Sequence, residues 1–174
     1  MKLYKFFLVN FLVVIAFSIN AKTLEINNTD SISFPDSFSI MMNTNNNTGL
    51  EMDGTKFSVI ADDTGRCALM IGTSPTYTEL DYHIAMIKNN QKALPSNSPI
   101  SIINEPVKTT IFNHDAVYTV LKDKTDITAI KFMRVYIMHG KNHQYQISFV
   151  NVSNLDMPTP CLTDLENRFE FIEK

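Results

Sequence analysis

The sequence predicts an α+β domain in which helices flank a mostly antiparallel sheet. Apolar residues recur at helical spacing in only two segments, near residues 74–94 and 161–172. The second half of the chain is instead dense in short β-branched and aromatic runs separated by turn residues. The 174 residues, 44% hydrophobic and 19% charged, suffice for one globular domain with a single core.

The first 21 residues have the pattern of a secretory signal peptide. Two lysines precede an almost wholly apolar run at residues 6–19, and Ala21 precedes a polar stretch. The run is shorter than the roughly 20 residues that a membrane-spanning helix needs, so we expect cleavage after Ala21 rather than a retained anchor. Residues 22–31 are predicted to be a polar leader, and residues 32–174 a single α+β domain.

The first half of the exported chain predicts short strands and one helix. The strands are expected at residues 32–34, 38–41, 56–60 and 67–71, and the last two form a hairpin with an acidic tip. The helix is expected to open at Ser74 and end before Pro95, with Thr76 and Glu79 as its capping box. Its predicted apolar face consists of Tyr77, Leu80, Ile84, Ile87 and Leu94.

The second half predicts a run of strands and a closing helix. The strands are expected at residues 100–103, 108–112, 116–121, 127–138 and 143–152. Alternation in the last of them places Tyr145, Ile147 and Phe149 on a core face. The closing helix is predicted from the spacing of Leu162, Leu165, Phe169 and Ile172.

This order of elements resembles the PsbP-like fold, shared by PsbP of photosystem II and many small bacterial exported proteins. The resembling stretches include ISFPDSFSI, AIKFMRVYIMHGKNHQYQISFV and CLTDLENRFEFI, and the resemblance covers most of residues 32–172. The chain departs from the usual pattern at His114-Asp115-Ala116, where a glycine is common. The resemblance implies a non-enzymatic protein that binds another protein or a small ligand.

The only two cysteines, Cys67 and Cys161, both lie in the exported part. An oxidising compartment favours a disulfide between them. The alternatives are two separately buried thiols, or a catalytic Cys161 activated near a helix start. We expect the disulfide, because a lone thiol outside the cytoplasm tends to be oxidised. The signal peptide and a chain rich in Asn, Lys and Ile point to the bacterial periplasm.

Charge and composition limit the partners and the chemistry. The chain has 15 Lys+Arg and 18 Asp+Glu, and losing the two signal-peptide lysines leaves 13 against 18, a net charge of −5. This acidic balance excludes a basic footprint for nucleic acid. Five glycines leave no room for a glycine-rich phosphate loop, and two cysteines exclude a zinc site built mainly from thiolates.

No standard catalytic motif occurs, so we expect no enzymatic activity, cofactor or metal. His139 and His143 flank a turn and, with a nearby carboxylate, are a candidate metal set, although solvated histidines are the expected reading. His83 is predicted on the polar side of the first helix, and His114 in a turn.

The expected function is that of a periplasmic, non-enzymatic protein-binding module, such as an inhibitor or immunity protein that neutralises a secreted toxin. An acidic surface steers a basic partner, and the expected contact surface is the acidic tip, Asp62 and Asp63, with the Asn-rich loop around Asn46. The alternative is a carrier of a small apolar ligand held between sheet and helix. A hydrolase or thiol enzyme is the third possibility.

Overall fold

The computed structural model describes residues 21–44, 50–52, 54–125, 130–153 and 167–173. Within these ranges the chain forms twelve strands and one helix. The strands in chain order are β1 (Lys22–Glu25), β2 (Asp30–Phe34), β3 (Phe38–Met42), β4 (Leu50–Met52), β5 (Thr55–Asp62), β6 (Cys67–Ser74), β7 (Ile100–Ile102), β8 (Val107–Ile111), β9 (His114–Asp123), β10 (Ile130–His139), β11 (Gln144–Ser153) and β12 (Glu170–Glu173). The helix, α1 (Leu80–Ala93), lies between β6 and β7 in the chain.

The strands form two antiparallel sheets. The small sheet has the order β1-β2-β12. The large sheet runs β3-β5-β6-β11-β10-β9-β7, with β4 also paired to β5 and β8 to β9. Its centre is the long hairpin of β10 and β11, which pair from Ile130 and Ser153 to His139 and Gln144. The predicted α+β class with a mostly antiparallel sheet is therefore confirmed.

The small sheet packs on one face of the large sheet, and α1 packs on the other. Between the sheets, Ile32 and Phe34 contact a core that includes Ile147 and Phe149, all fully buried. Strand alternation directs the neighbouring positions of the large sheet to the opposite face. There Val117 and Ile137 form a second cluster with Ile87, Leu80 and Ile84 of α1. In the described ranges no helix is both long enough and apolar enough to cross a membrane.

The predicted polar leader, residues 22–31, is wrong. It contains β1 and the start of β2, which pair with each other from Lys22 and Phe34 to Glu25 and Ser31. Leu24 is fully buried against the large sheet. A short strand such as β1 can join a sheet with only one buried apolar side chain, because pairing with a neighbouring strand supplies the rest of its contacts.

The start of the helix also differs from the prediction. Ser74 is the last residue of β6, paired with Gln144 of β11, and α1 begins only at Leu80. Glu79 occupies the N-cap without a side-chain hydrogen bond, so the predicted capping box with Thr76 does not form. Strand pairing takes Ser74, and the residues from 75 to 79 connect β6 to α1.

The closing helix is wrong at its C-terminal end. Phe169 follows a turn, and Ile172 lies in β12, which pairs with β2. Phe171 packs on the core from β12, so residues 169 and 171 follow strand periodicity. The predicted helix residues Leu162 and Leu165 lie outside the described residues, as does the predicted signal peptide up to residue 20.

His114 and Asp115 are the first residues of β9, not a turn as predicted. The turn lies just before them at Phe112 and Asn113, which both have positive φ, at 51° and 63°. This two-residue connection joins β8 to β9 directly. Two consecutive residues with positive φ are typical of the tight turn that matches strand twist.

Candidate functional site

Two buried carboxylates lie side by side where the small sheet meets the turn between β10 and β11. Asp30 of β2 is directly opposite Glu173 of β12. Asp30 is 4% exposed and the Glu173 side chain 7% exposed. The Tyr145 hydroxyl donates a hydrogen bond to Asp30, and Asn27 donates to the same oxygen at 2.8 Å. The backbone N–H of Lys141 donates to Glu173 at 2.6 Å.

Each of these carboxylates also faces an imidazole from the large sheet side. His143 Nδ1 is 3.8 Å from Asp30 Oδ2, and His114 Nε2 is 3.8 Å from Glu173 Oε2. Burial, followed by the hydrogen bond to Asp30, raises the pKa of Tyr145 far above its usual range. Tyr145 therefore stays protonated and acts as a hydrogen-bond donor at neutral pH.

His139 and His143, the candidate metal pair, do not face each other. His139 is paired with Gln144, so His143 is one residue out of phase with it and points to the other face of the sheet. On the helix side, His139 Nε2 donates to the Thr78 carbonyl at 2.9 Å and its ring lies 4.6 Å from that of Tyr77. In the part of the chain that the structure describes, no three His, Cys, Asp or Glu side chains are placed to hold a metal ion.

His83 is buried, which corrects its predicted place on the polar side of the helix. It is 8% exposed and lies one turn before the buried Ile87. The Gln144 Nε2 atom lies 2.6 Å from His83 Nε2, while Gln144 Oε1 accepts the backbone N–H of Thr78 at 2.9 Å. Burial lowers the pKa of His83, the contact with Gln144 offsets part of this by raising the pKa, and the neighbouring His139 lowers it again. The burial of His83 could have been predicted from its position, because residues 80, 83, 84 and 87 share one face of the helix.

A cleft of about 320 Å³ opens beside the buried carboxylates. Its walls include Asn27, Thr44, Lys56, Thr73 and His143. Thr73 Oγ1 and His143 Nδ1 are buried and have no hydrogen-bond partner within the described ranges. Both atoms are shielded from solvent.

The predicted contact residues at the acidic tip lie at the other end of the large sheet. Cys67, just after this tip, pairs with Asn151, whereas the turn between β10 and β11 adjoins Gln144. Asp62 accepts hydrogen bonds from the Thr64 hydroxyl at 2.8 Å and the Arg66 N–H at 3.0 Å, so it closes its own turn. Asp63 is exposed. Asn46 lies outside the described residues.

Cys67 is buried at the start of β6. The described ranges contain no free cysteine. Cys161 lies outside the described residues, so its pairing with Cys67 stays a prediction. Asn151 of β11 lies against the Cys67 sulfur at 3.9 Å.

An exposed apolar surface lies on the side of the large sheet that carries α1. Four large side chains form it, and we call this set the α1 surface: Tyr77, Tyr82, Met86 and Ile100. Tyr82 is the most exposed of them at 61%. Two ion pairs, Asp81 with Lys108 at 2.9 Å and Lys88 with Glu105 at 3.6 Å, tie the helix to the segment before and within β8. Charged groups that pair with each other therefore lie beside the α1 surface.

No known family model matches the chain, and no curated protein matches it. Solved structures are similar in fold. A protein of Bacteroides thetaiotaomicron VPI-5482 is 10% identical with a TM-score of 0.50, and the match covers 83% of this chain but 46% of that one. The chain thus spans about half the length of that structure.

Two smaller proteins match over most of their length. Cyanobacterial PsbP (CyanoP) of Synechocystis sp. PCC 6803 is 9% identical with a TM-score of 0.49, covering 86% of this chain and 91% of that one. LpqN of Mycobacterium tuberculosis, described as involved in cell envelope biogenesis, is 8% identical with a TM-score of 0.49, covering 87% and 90%. At these identities the likeness extends to the fold alone, and the PsbP-like architecture stays a prediction of the sequence.

Proposed function

We propose that this chain is an exported, non-enzymatic protein-binding module of the periplasm, and that it inhibits a basic partner protein such as a secreted toxin. One observation carries the proposal. Of the nine large apolar side chains exposed in the described ranges, four belong to the α1 surface. A cluster of this kind marks a contact site more often than scattered single residues do.

The composition of the α1 surface supports a protein partner. Tyrosine and methionine are enriched at protein interfaces, and tyrosine is among the residues that supply most binding energy. Tyr77 and Tyr82 contribute large rings that lose little conformational entropy on binding. The two ion pairs between α1 and the segment 105–108 provide a polar rim that is already internally paired.

Charge supports a basic partner. The full chain has a net charge of −3, and removal of two signal-peptide lysines would make it −5. Such an excess of acid speeds the encounter with a basic protein and adds less to the stability of the complex. We assign this steering role to exposed acids such as Asp63, and the anchoring role to the α1 surface.

The alternative, a carrier of an apolar ligand, receives less support. It places the ligand between sheet and helix, where Leu80, Ile84 and Ile87 pack directly on Val117 and Ile137. A ligand at that place would have to displace these side chains.

The decisive experiment uses the partner recovered with the protein from the periplasm, then purified and tested as a defined pair. We expect Tyr82→Ser combined with Met86→Ser to weaken binding about tenfold or more. The matched control is Ile40→Ser with Met41→Ser, which removes two exposed apolar side chains from β3 and should leave Kd unchanged. Equal loss in both variants, or none in the first, would contradict the assignment.

Two further experiments test the export of the protein and its lack of catalytic activity. Intact-mass analysis of the periplasmic protein should give a chain that begins near Lys22, the first residue of β1. Retention of residues 1–21 would contradict export through a cleaved signal. A single His→Ala change that abolished activity but left partner binding intact would contradict the non-enzymatic role.

A further inference from the structure

We propose that His83 is a proton switch for the α1 surface: protonation of its buried imidazole breaks the link between Gln144 and Thr78 and loosens residues 75–79. The consequence for partner binding rests on the proposed function. The switch itself is a property of the free protein and is tested there.

Hydrogen-bond roles around His83 are fixed by a backbone group. The Thr78 N–H is always a donor, so the Gln144 atom at 2.9 Å from it must be the carbonyl oxygen. The other end of the same amide, the NH₂ group, then faces His83 Nε2 at 2.6 Å. His83 Nε2 must therefore accept, which requires a neutral imidazole with its proton on Nδ1.

Protonation at Nε2 sets two donors against each other. The new N–H of His83 would face the NH₂ group of Gln144, and Nδ1 has no hydrogen-bond partner in the described ranges to compensate. Gln144 relieves this conflict by turning its amide, so that Oε1 accepts from His83. The NH₂ group then faces the Thr78 N–H, and the bond that held Thr78 is lost. A buried polar network of this kind has no intermediate arrangement that satisfies every donor.

Thr78 lies in the segment that presents part of the α1 surface. The Tyr77 hydroxyl donates to the Gly140 carbonyl, and His139 donates to the Thr78 carbonyl. Glu79 then leads into α1, whose first turn is closed by the Tyr82 N–H at 3.0 Å from the Glu79 carbonyl. Release of Thr78 therefore reaches Tyr77 on one side and Tyr82 on the other.

The charged groups around His83 give no compensation for its protonation. From β10, the neighbouring His139 disfavours a positive charge on His83. From α1, Tyr82 approaches the imidazole edge at 6.1 Å, and Asp81 is paired with Lys108 of β8. Gln144 of β11 is neutral, and within the described ranges none of the acidic side chains forms an ion pair with His83. The lowered pKa of His83 agrees with this environment.

The direction of the response follows from linkage. The pKa of His83 is lower in the folded protein than the value of about 6.5 expected in the unfolded chain. Its contribution to stability is therefore complete above about pH 6.5 and is lost as the pH falls below that value. The switch therefore operates on the acidic side of neutrality.

Amide hydrogen exchange of the free protein tests the switch. Between about pH 7.5 and about pH 5, we expect the protection of the Thr78 amide, corrected for intrinsic exchange, to fall about tenfold. His83→Gln should abolish this fall, and His143→Gln, on the other face of the sheet, should retain it. A fall that persists in His83→Gln, or no fall in the unmodified protein, would overturn the switch.

Gln144→Glu provides a second test that keeps His83. A carboxylate accepts from both Thr78 and protonated His83, so protection at Thr78 should rise instead of fall on acidification. A fall equal to that of the unmodified protein would overturn the proposal. If Thr78 responds as expected but partner affinity does not change with pH, the switch stands and the α1 surface is wrong as the contact site.

Discussion

Asp30 and Glu173 face each other across the β2–β12 pair with both carboxylates buried. Like charges directly opposite each other destabilise a sheet. Here donors outside the small sheet offset the repulsion, because Tyr145 donates to Asp30 and the Lys141 N–H donates to Glu173. The end of the small sheet is therefore attached to the large one by polar contacts as well as by the shared core.

The first prediction concerns the bond between Tyr145 and Asp30. Tyr145→Phe removes a donor from a buried carboxylate and should lower the free energy of unfolding by roughly 1–3 kcal/mol. Asp30→Asn keeps an acceptor and should cost less. In a double-mutant cycle measured by urea unfolding, the two changes should be coupled by at least about 0.5 kcal/mol. Simple additivity would show that the contact contributes nothing of its own.

The second prediction concerns alkaline pH. Because burial raises the pKa of Tyr145 above 10, ionisation is easier in the unfolded chain. Stability from this group is fully present below about pH 10 and falls above it by up to about 1.4 kcal/mol per pH unit. Tyr145→Phe should flatten this decline in urea unfolding between about pH 9 and about pH 11. Tyr82→Phe, which removes an exposed phenol, is the control, and an equal effect there would refute the assignment.

The third prediction concerns Gly140, which has no room for a side chain. A Cβ there would lie 2.5 Å from Glu173 Oε1 and 2.7 Å from the Tyr145 ring. Gly140→Ala should therefore destabilise by about 1–3 kcal/mol. At Gly72 the nearest atoms belong to the half-buried ring of Phe57, which can move, so Gly72→Ala should cost less. The reverse order in thermal unfolding would contradict this account.

Much of the fold could be predicted from the sequence because its elements are strongly patterned. The alternation of Tyr145, Ile147 and Phe149 predicted a core face, and all three are fully buried. The sequence predictions failed where strand pairing joins residues that are far apart in the chain. Phe169 and Ile172 fit helical spacing, whereas Phe169 and Phe171 fit strand spacing, and only β2, from the other end of the chain, decides for a strand.

The polar sites were harder to predict for the same reason. Asp30 and Glu173 come from opposite ends of the chain, so no local spacing relates them. His83 was assigned to the polar side by residue type, although its spacing to Ile87 places it on the buried face. In both cases tertiary packing sets the environment that determines the chemistry.

The fourth prediction concerns the disulfide. Alkylation of the periplasmic protein without reductant should label neither Cys67 nor Cys161, and labelling after reduction should reach both. Replacing both cysteines by Ala should lower the free energy of unfolding by about 2–5 kcal/mol, because the bridge would close a long loop. Labelling of both without reductant would refute the bridge and revive the thiol-enzyme hypothesis.

The last prediction separates steering from anchoring at the acidic tip. Asp62 is unsuitable for this test, because it accepts bonds from Thr64 and Arg66 and its loss would disturb the turn. Asp63→Lys changes an exposed charge without touching those bonds. With a basic partner it should reduce the association rate, more at low salt than at high salt, and leave the dissociation rate nearly unchanged. Lys124→Glu, an exposed change of opposite sign, is the complementary variant and should raise the association rate. An effect of Asp63→Lys confined to dissociation would instead place Asp63 inside the contact, as the sequence alone suggested.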